Sequence, residues 1–135
     1  MTQLKIENLH AGYGNKMILN NFNLEVNQGE MIALLGPSGC GKTTLLNALC
    51  GFVPVSQGNI YVGENTITKL PAEKRNITMV FQSYALWPHL TVAQNIAYGL
   101  KVRKVKNAEI NDRVNELLSI VKLDGLQNEK VTALS

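Results

Sequence analysis

The sequence reads Gly36-Pro37-Ser38-Gly39-Cys40-Gly41-Lys42-Thr43-Thr44 over nine residues that match the pattern GxxxxGK[ST]. Such a loop turns its backbone N–H groups inward around an anion, and its tightest points tolerate only residues without a Cβ. Lys42 supplies a mobile positive charge for the outer phosphates of a nucleotide, and Thr43 supplies a hydroxyl for Mg²⁺. The alternative is a chance glycine turn before a helix. Because an apolar run precedes the stretch and a leucine-rich run follows it, the sequence predicts a phosphate-binding loop.

The segments on both sides of the loop occur in the order that this loop requires. Glu30 to Leu35 is a short apolar run without alternation, which predicts a strand buried on both faces of a parallel sheet. After Lys42 apolar residues recur at helical spacing, and Gly51 is typical of a helix C-cap. The sequence therefore predicts a strand, a loop and a helix in succession.

A second buried parallel strand is predicted at Ile77 to Phe81, and Gln82 follows it directly. The carboxyl ends of parallel strands face the ligand crevice, so Gln82 has a position from which it could reach the metal that Thr43 binds. Taken alone, a glutamine after a strand more often makes a loop hydrogen bond. Both interpretations stay open at this point.

The N-terminal part predicts antiparallel strands. Alternation from Leu4 to Leu9 indicates a strand near a sheet edge, and alternation from Phe22 to Val26 indicates its hairpin partner. Tyr13 lies between them beside glycines, where packing or solvent exposure is commoner than a ligand contact. Short strand pieces are expected at Gly58 to Val62 and at Ile67, and Leu70 to Arg75 predicts a helical turn with solvated charges.

Two helices are predicted near the C-terminus. Thr91 and Gln94 match a capping box for a helix from Val92 towards Leu100. A second, amphipathic helix runs from Asn107 to near Gly125, with its apolar face at Ile110, Val114, Leu117, Leu118 and Val121. The aromatic stretch from Tyr84 to Leu90 indicates either a contact surface or local packing. His89 has no histidine or cysteine partner at ligand spacing, so it is a poor metal ligand.

Length and composition exclude several classes of protein. The chain has 135 residues, 45% hydrophobic and 17% charged, which fits one globular domain or part of one. Its apolar runs are far shorter than the roughly 20 residues of a membrane span, and its start lacks a secretory signal, so a cytoplasmic location is expected. Cys40 and Cys50 have neither metal-ligand spacing nor a setting that favours a disulfide. A net charge of +3 with scattered lysines does not favour nucleic acid as a partner.

Taken together, these features resemble the nucleotide-binding subunit of an ATP-binding-cassette (ABC) transporter over essentially the whole chain. The phosphate loop has the GPSGxGKTT form typical of these subunits. Val80-Phe81-Gln82, continuing as Ser-Tyr-Ala-Leu-Trp-Pro-His-Leu-Thr-Val, is similar to the family's glutamine loop. Tyr13 stands where the family has an aromatic residue that stacks on adenine, which makes the functional interpretation of this residue the favoured one.

The resemblance implies an α/β fold: a P-loop NTPase core with an N-terminal antiparallel β subdomain, to about residue 90, and the start of a helical subdomain, about 91–135. It implies ATP and Mg²⁺ as cofactors, a second ATPase subunit that closes the site, and membrane-spanning permease subunits as partners. It also implies a place on the inner face of the cell membrane. The sequence of the aromatic loop is similar to that of the corresponding loop in ATPase subunits of bacterial importers of ferric iron, polyamines or phosphonates.

The resemblance also assigns the site residues. By similarity, ATP is bound by Tyr13, Gly36, Pro37, Ser38, Gly39, Cys40, Gly41, Lys42, Thr43 and Thr44; Mg²⁺ is bound by Thr43 and Gln82; and the membrane partner is contacted by Trp87, Pro88 and His89, within the loop from Ser83. Ile18 is implied as a contact to the base. No catalytic residue is assigned, because the family's catalytic glutamate and switch histidine are expected beyond Ser135.

The family's second half is expected outside this sequence. Leu134-Ser135 look like the first two letters of the signature LSGGQ, and strands of that second half would separate the two buried strands predicted here. We therefore expect a fragment of a longer subunit. Two alternatives remain: a nucleotide-binding chain without turnover, and a non-transport ABC protein acting on DNA or ribosomes, which the Trp87 loop disfavours.

Overall fold

Strands β1 (Thr2–Tyr13) and β2 (Lys16–Asn27), helix α1 (Lys42–Cys50), strands β3 (Val55–Val62) and β4 (Asn65–Thr66) and a 3-10 turn (Ala72–Lys74) follow one another in the computed structural model. Helices α2 (Val92–Val102) and α3 (Asn107–Ile120) and a second 3-10 turn (Val131–Ala133) come after them. The structure describes residues 2–134, which form two units that divide between Met79 and Val80. The subdomain boundary near residue 90 stays a prediction.

The strands of the first unit form one antiparallel sheet in the order β2-β1-β3-β4. The predicted hairpin of β1 and β2 is confirmed, with Ile6 opposite Leu24 and Leu9 opposite Phe22. β1 also pairs with β3, where Ile6 lies opposite Ile60. β1 is therefore an inner strand of the sheet, and β2 and β4 form its edges.

A bulge in β1 explains how two residues three positions apart both face the core. Ile6 and Leu9 are buried although strict alternation would place them on opposite faces. Between them Asn8 has a φ of 49° and its N–H donates to Asn23 Oδ1 at 2.8 Å, and the register of β1 against both neighbours shifts there. The extra residue re-aims Leu9 into the core. Opposite the bulge, a Cβ on Gly58 would overlap the backbone of Asn8, so the strands approach closely only because Gly58 lacks one.

Helix α1 packs against β1 and β2. The buried core of the first unit combines apolar residues of the sheet, of α1 and of the connecting segments: Ile6, Leu9, Ala11, Leu19, Leu45, Ala48, Val53, Ile60 and Ile67. Gly51 ends α1 with a φ of 84°, as the sequence predicted. The helix that follows the phosphate loop is thus held on the sheet by its own apolar face.

The two buried parallel strands predicted from the sequence are not formed, and that prediction is wrong for the described residues. Residues 30–35 and 77–81 adopt no strand, and the side chains of Met31, Leu35 and Val80 are 94%, 91% and 83% exposed. A parallel strand needs neighbours that pair with its backbone, and within residues 2–134 no strand pairs with either run. The observed sheet is therefore entirely antiparallel. Ser135, the second letter of the expected signature, lies outside the described residues.

Arg75 also differs from expectation, because its charge was predicted to be solvated. The predicted helical turn exists, but the Arg75 side chain folds beneath it and is only 6% exposed. Its guanidinium donates to the backbone carbonyls of Ala48, Leu49, Thr68 and Leu70. Burial is tolerated because these carbonyls satisfy the donors that leave water.

The second unit is built on α2 and α3. Both halves of the capping box are present: Thr91 Oγ1 accepts from the Gln94 N–H at 3.2 Å, and Gln94 Oε1 accepts from the Thr91 N–H at 2.9 Å. The helices share a buried core of Val92, Ala97, Ile110, Val114 and Leu118. α3 ends at Ile120, earlier than predicted, so Val121 leaves the expected apolar face and is 55% exposed. No helix within residues 2–134 is both long enough and apolar enough to cross a membrane.

Candidate phosphate-binding site

The backbone of the predicted phosphate loop takes conformations that require glycine at two points. Gly39 and Gly41 have φ values of 82° and 101°, in the left-handed region. A Cβ on Gly41 would also lie 3.1 Å from Leu19 Cδ2, so the loop rests closely on β2. The Leu45 N–H donates to the Gly41 carbonyl oxygen at 2.8 Å and starts α1 at once. The loop and the first turn of the helix are therefore one continuous structure.

The start of α1 carries positive potential that the described protein does not cancel. In the described part of the chain no side chain caps this end of the helix, and its first turn contains no acidic residue. The free N–H groups and the helix dipole favour an anion there. This is the electrostatic setting of a phosphate site.

Lys42 folds back over the loop from the first position of α1. Its Nζ donates to the Gly36 carbonyl oxygen at 2.6 Å and to the Pro37 carbonyl oxygen at 2.8 Å, and it lies 3.4 Å from Cys40 Sγ. Neither oxygen carries a full charge, so a phosphate oxygen is a stronger acceptor for the same amine. The amine is therefore held at the loop by bonds that an anionic ligand can replace.

A cavity of about 360 Å³ lies beside the loop and brings several predicted residues together. Ile18 of β2, whose contact to a base was predicted, lines it together with loop residues. Thr43 lies on the exposed side of α1, whereas Thr44 is only 6% exposed. The residues lining the cavity are Lys16, Ile18, Ser38, Gly39, Gly41, Lys42, Thr43 and Thr44.

Tyr13 belongs to the same unit as the loop. It ends β1 opposite Lys16, a residue that lines the cavity, and its side chain is 52% exposed. Its hydroxyl oxygen accepts a hydrogen bond of 3.2 Å from Asn47 Nδ2 on α1. Sequence reasoning missed Asn47, because an asparagine within a helix gives no signal that it bonds a residue 34 positions away.

The remaining predicted site residues lie in the second unit. Gln82 is exposed, and its pairing with Thr43 at a metal ion stays a prediction. The Trp87 ring packs against Tyr98 of α2 with centroids 4.1 Å apart, yet it remains 40% exposed. Pro88 and His89 are exposed as well. The structure thus confirms local packing of Trp87, and the contact surface stays a prediction.

Cysteine and metal chemistry add little to the site. Cys40 is exposed within the loop and Cys50 is buried in α1, and both are free thiols. Burial raises the pKa of the Cys50 thiol, and the nearby Arg75 charge partly opposes that shift. Among residues 2–134, no three histidine, cysteine or acidic side chains are grouped as a metal site would need.

Comparisons with known proteins agree with this geometry. Residues 19–135 match the family described as ABC transporter. The spermidine/putrescine import ATP-binding protein PotA of Haemophilus influenzae is 47% identical over 132 residues, which are 98% of this chain and 36% of that protein. PotA of Legionella pneumophila shows the same identity and coverage.

A relative whose name gives a different cargo is almost as similar. The Fe(3+) ions import ATP-binding protein FbpC of Fusobacterium nucleatum is 46% identical over 132 residues, again 98% of this chain and 36% of that protein. The chain thus spans about a third of the length of these curated relatives. Because the family match covers most of the sequence and includes the phosphate loop, the chain belongs to the ABC transporter family and has that family's P-loop NTPase fold class.

Proposed function

We propose that this chain carries the phosphate-binding half of the ATP site in the ATPase subunit of an importer. The observation that carries the proposal is the position of the Lys42 amine, 2.6 Å and 2.8 Å from two carbonyl oxygens of the loop, at the positive end of α1. Relatives described as import ATP-binding proteins support the importer. Those names divide between polyamines and ferric ions, so the cargo is left open.

The proposed site residues of the first unit each have a defined task. The loop from Gly36 to Thr44 holds the phosphates through its backbone N–H groups, and Lys42 moves from the loop carbonyls to phosphate oxygens. Tyr13, which lies opposite the cavity residue Lys16, stacks on the adenine ring. Ile18 contacts the edge of the ring, because this residue of β2 lines the cavity beside the loop.

The donor set fits Mg²⁺ in the way typical of nucleotide sites. The exposed Thr43 hydroxyl is a hard oxygen ligand, and Mg²⁺ commonly binds through one or two protein groups plus phosphate oxygens and water. We propose Gln82 as a further ligand. When bound, Mg²⁺ neutralises phosphate charge and orients the outer phosphate groups.

The rest of the proposed activity belongs to a complete subunit. Hydrolysis needs a carboxylate that polarises water, and the proposal places it, with the signature motif, in residues that follow those of this sequence. A second ATPase subunit then closes the site. Trp87, Pro88 and His89 form a surface for a membrane-spanning permease subunit, which places the protein at the cytoplasmic face of the membrane; Trp87 is exposed enough to serve there.

Nucleotide binding to the 135-residue chain tests the core of the proposal. Lys42→Ala should weaken the binding of Mg-ATP, measured by titration calorimetry, by about 10- to 100-fold, because a charge-assisted hydrogen bond to phosphate is lost. Lys101→Ala, on the exposed surface of α2, is the matched control and should bind as the wild type does. Equal affinity of wild type and Lys42→Ala would contradict the proposal.

Turnover and partners need separate measurements. We expect no sustained phosphate release from the 135-residue chain, since no carboxylate of the described residues is assigned to catalysis. Sustained release that Lys42→Ala abolishes would show that the chain is catalytic alone. Copurification of a tagged complete subunit with a membrane protein, lost on Trp87→Ala, supports the importer, and copurification with nucleic acid or ribosomes in its place would contradict it.

A further inference from the structure

The hydroxyl of Tyr13 and the amide of Asn47 connect the hairpin end of β1 to α1, the helix that follows the phosphate loop. Asn47 Nδ2 donates to Tyr13 Oη at 3.2 Å. The two residues lie in the same unit, one at the end of β1 and the other in the middle of α1. The contact therefore joins the hairpin of β1 and β2 to α1, and both β2 and α1 line the cavity beside the loop.

Asn47 shares one face of α1 with Thr43. Residues four positions apart in a helix project on the same side and are separated along the axis by about 6 Å. Thr43 lines the cavity and belongs to the phosphate loop, whereas Asn47 lies one turn further on and bonds Tyr13. One rigid helix thus carries a group for the phosphates and a group that holds the aromatic ring.

The backbone of Tyr13 is fixed, but its side chain needs this additional anchor. Tyr13 pairs with Lys16 across a two-residue turn, and a Cβ on Gly12 would overlap the Lys16 carbonyl oxygen, so the hairpin end is tightly built. Tyr13 is 52% exposed, so packing covers only about half of it. A ring that is fixed before the ligand arrives loses less conformational entropy on binding.

We propose that Asn47 is a positioning residue for the base: its amide holds the Tyr13 ring at a set distance from the phosphate loop. This inference rests on the proposed function, because it takes Tyr13 to contact the base. Asn47 itself touches no ligand. It sets the spacing between the two parts of the site and so favours a nucleotide over an inorganic polyphosphate.

The test compares ATP with inorganic tripolyphosphate, which occupies a phosphate loop but has no base. On the 135-residue chain, Asn47→Ala and Tyr13→Phe should each weaken ATP binding by about 3- to 10-fold, the effect of one lost hydrogen bond. The double variant should lose no more than either single variant, because both remove the same bond. Tripolyphosphate affinity should stay within about twofold of the wild type in all three.

Asn111→Ala on the exposed face of α3 is the matched control, since it makes the same replacement in a helix of the second unit, and it should bind both probes normally. Additive losses in the double variant, equal losses of both probes in Asn47→Ala, or no loss of ATP affinity at all would overturn the inference. Circular dichroism spectra of the variants identify any that fail to fold, and in that case Tyr13→Phe, which changes one exposed oxygen, decides the question.

Tyr13→Ala separates this inference from the proposed function. If Tyr13→Ala weakens ATP binding but Asn47→Ala and Tyr13→Phe do not, only the positioning role is wrong. If Tyr13→Ala leaves ATP affinity unchanged, the proposed base contact fails and the positioning role fails with it. A wild-type chain that binds neither probe would contradict the phosphate site itself.

Discussion

Arg75 Nη1 donates a hydrogen bond of 2.7 Å to the carbonyl oxygen of Ala48, across 27 residues of sequence. The same nitrogen also donates to the Leu49 carbonyl at 3.0 Å, while Nη2 bonds the Thr68 carbonyl at 2.8 Å and Nε bonds the Leu70 carbonyl at 2.7 Å. Burial lowers the pKa of Arg75, but an arginine starts so high that it stays charged. A buried cation therefore joins the C-terminal end of α1 to the segment after β4.

Replacing Arg75 should destabilise the first unit strongly. Arg75→Met keeps the apolar stem but removes the guanidinium, which bonds the Leu49, Thr68 and Leu70 carbonyls and shares the Ala48 carbonyl with the Gly51 N–H. We expect a loss of about 2–4 kcal/mol in the free energy of unfolding. Urea titration followed by circular dichroism measures it. The neighbouring Lys74 is exposed, so Lys74→Ala should change stability by no more than about 0.5 kcal/mol. A similar small effect of Arg75→Met would show that the carbonyl contacts are dispensable.

Gly51 should be intolerant of any side chain because it borders Arg75. Its φ is 84°, and an added Cβ would lie 2.7 Å from Arg75 Nε. Gly29 has a similar φ of 80° in the same unit, but nothing lies within 4 Å of its position for a Cβ. Gly29→Ala should therefore cost only the backbone term of about 1–2 kcal/mol, and Gly51→Ala should cost more. Equal unfolding free energies of the two variants, measured in urea, would disprove the steric part.

Local patterns were sufficient to predict the elements whose stabilising contacts are close in sequence. The hairpin, the helix after the phosphate loop and the α2 capping box depend on alternation, glycine and short-range hydrogen bonds, and all three are confirmed. Residues 30–35 and 77–81 were predicted wrongly as strands. A parallel strand depends on pairing with segments that are distant in sequence. The apolar composition of a run does not show whether such pairing segments are present in the chain.

The same limit applies to single residues at and near the site. Arg75 stands in a charged, proline-containing turn, where solvation is the ordinary outcome, and its burial depends on carbonyls of a helix more than 20 residues away. Asn47 is ordinary by sequence and becomes informative only because Tyr13 reaches it. The phosphate loop, by contrast, carries its chemistry within nine adjacent residues, so its sequence alone predicts its role.

Cys50 should make the stability of the first unit fall at alkaline pH. Burial raises its folded pKa above the unfolded value of about 8.5, so the unfolded chain loses the thiol proton first. This contribution is fully present below about pH 8 and is lost as the pH rises through the folded pKa. The free energy of unfolding, measured by urea titration at each pH from 7 to 10, should therefore fall more steeply with pH above about 8.5 in the wild type than in Cys50→Ala. The same pH dependence in both proteins would contradict the pKa shift.

The capping box should determine the stability of the start of α2. Thr91→Ala removes the acceptor for the Gln94 N–H and should weaken the helix by about 1 kcal/mol. Hydrogen exchange of amides in the first turns of α2 is the direct measurement, and protection there should fall about fivefold while α1 amides stay unchanged. Thr132→Ala, at an exposed threonine of the second unit, should leave α2 protection as it is.

Trp87 gives the second unit its own optical probe, because it is the only tryptophan in the sequence. Its ring lies 4.1 Å from that of Tyr98, with an angle of 35° between the ring planes, and Asn95 bonds its backbone N–H and carbonyl at 3.0 Å and 3.2 Å. Tyr98→Ala uncovers one side of the ring, so tryptophan emission should shift to longer wavelength and iodide quenching should increase. Tyr84→Ala, which removes a tyrosine that is 75% exposed, should leave both nearly unchanged. If Tyr98→Ala has no effect on emission, the ring pair does not hold Trp87. If the shift occurs, the proposed permease surface is one that the chain forms before any partner binds.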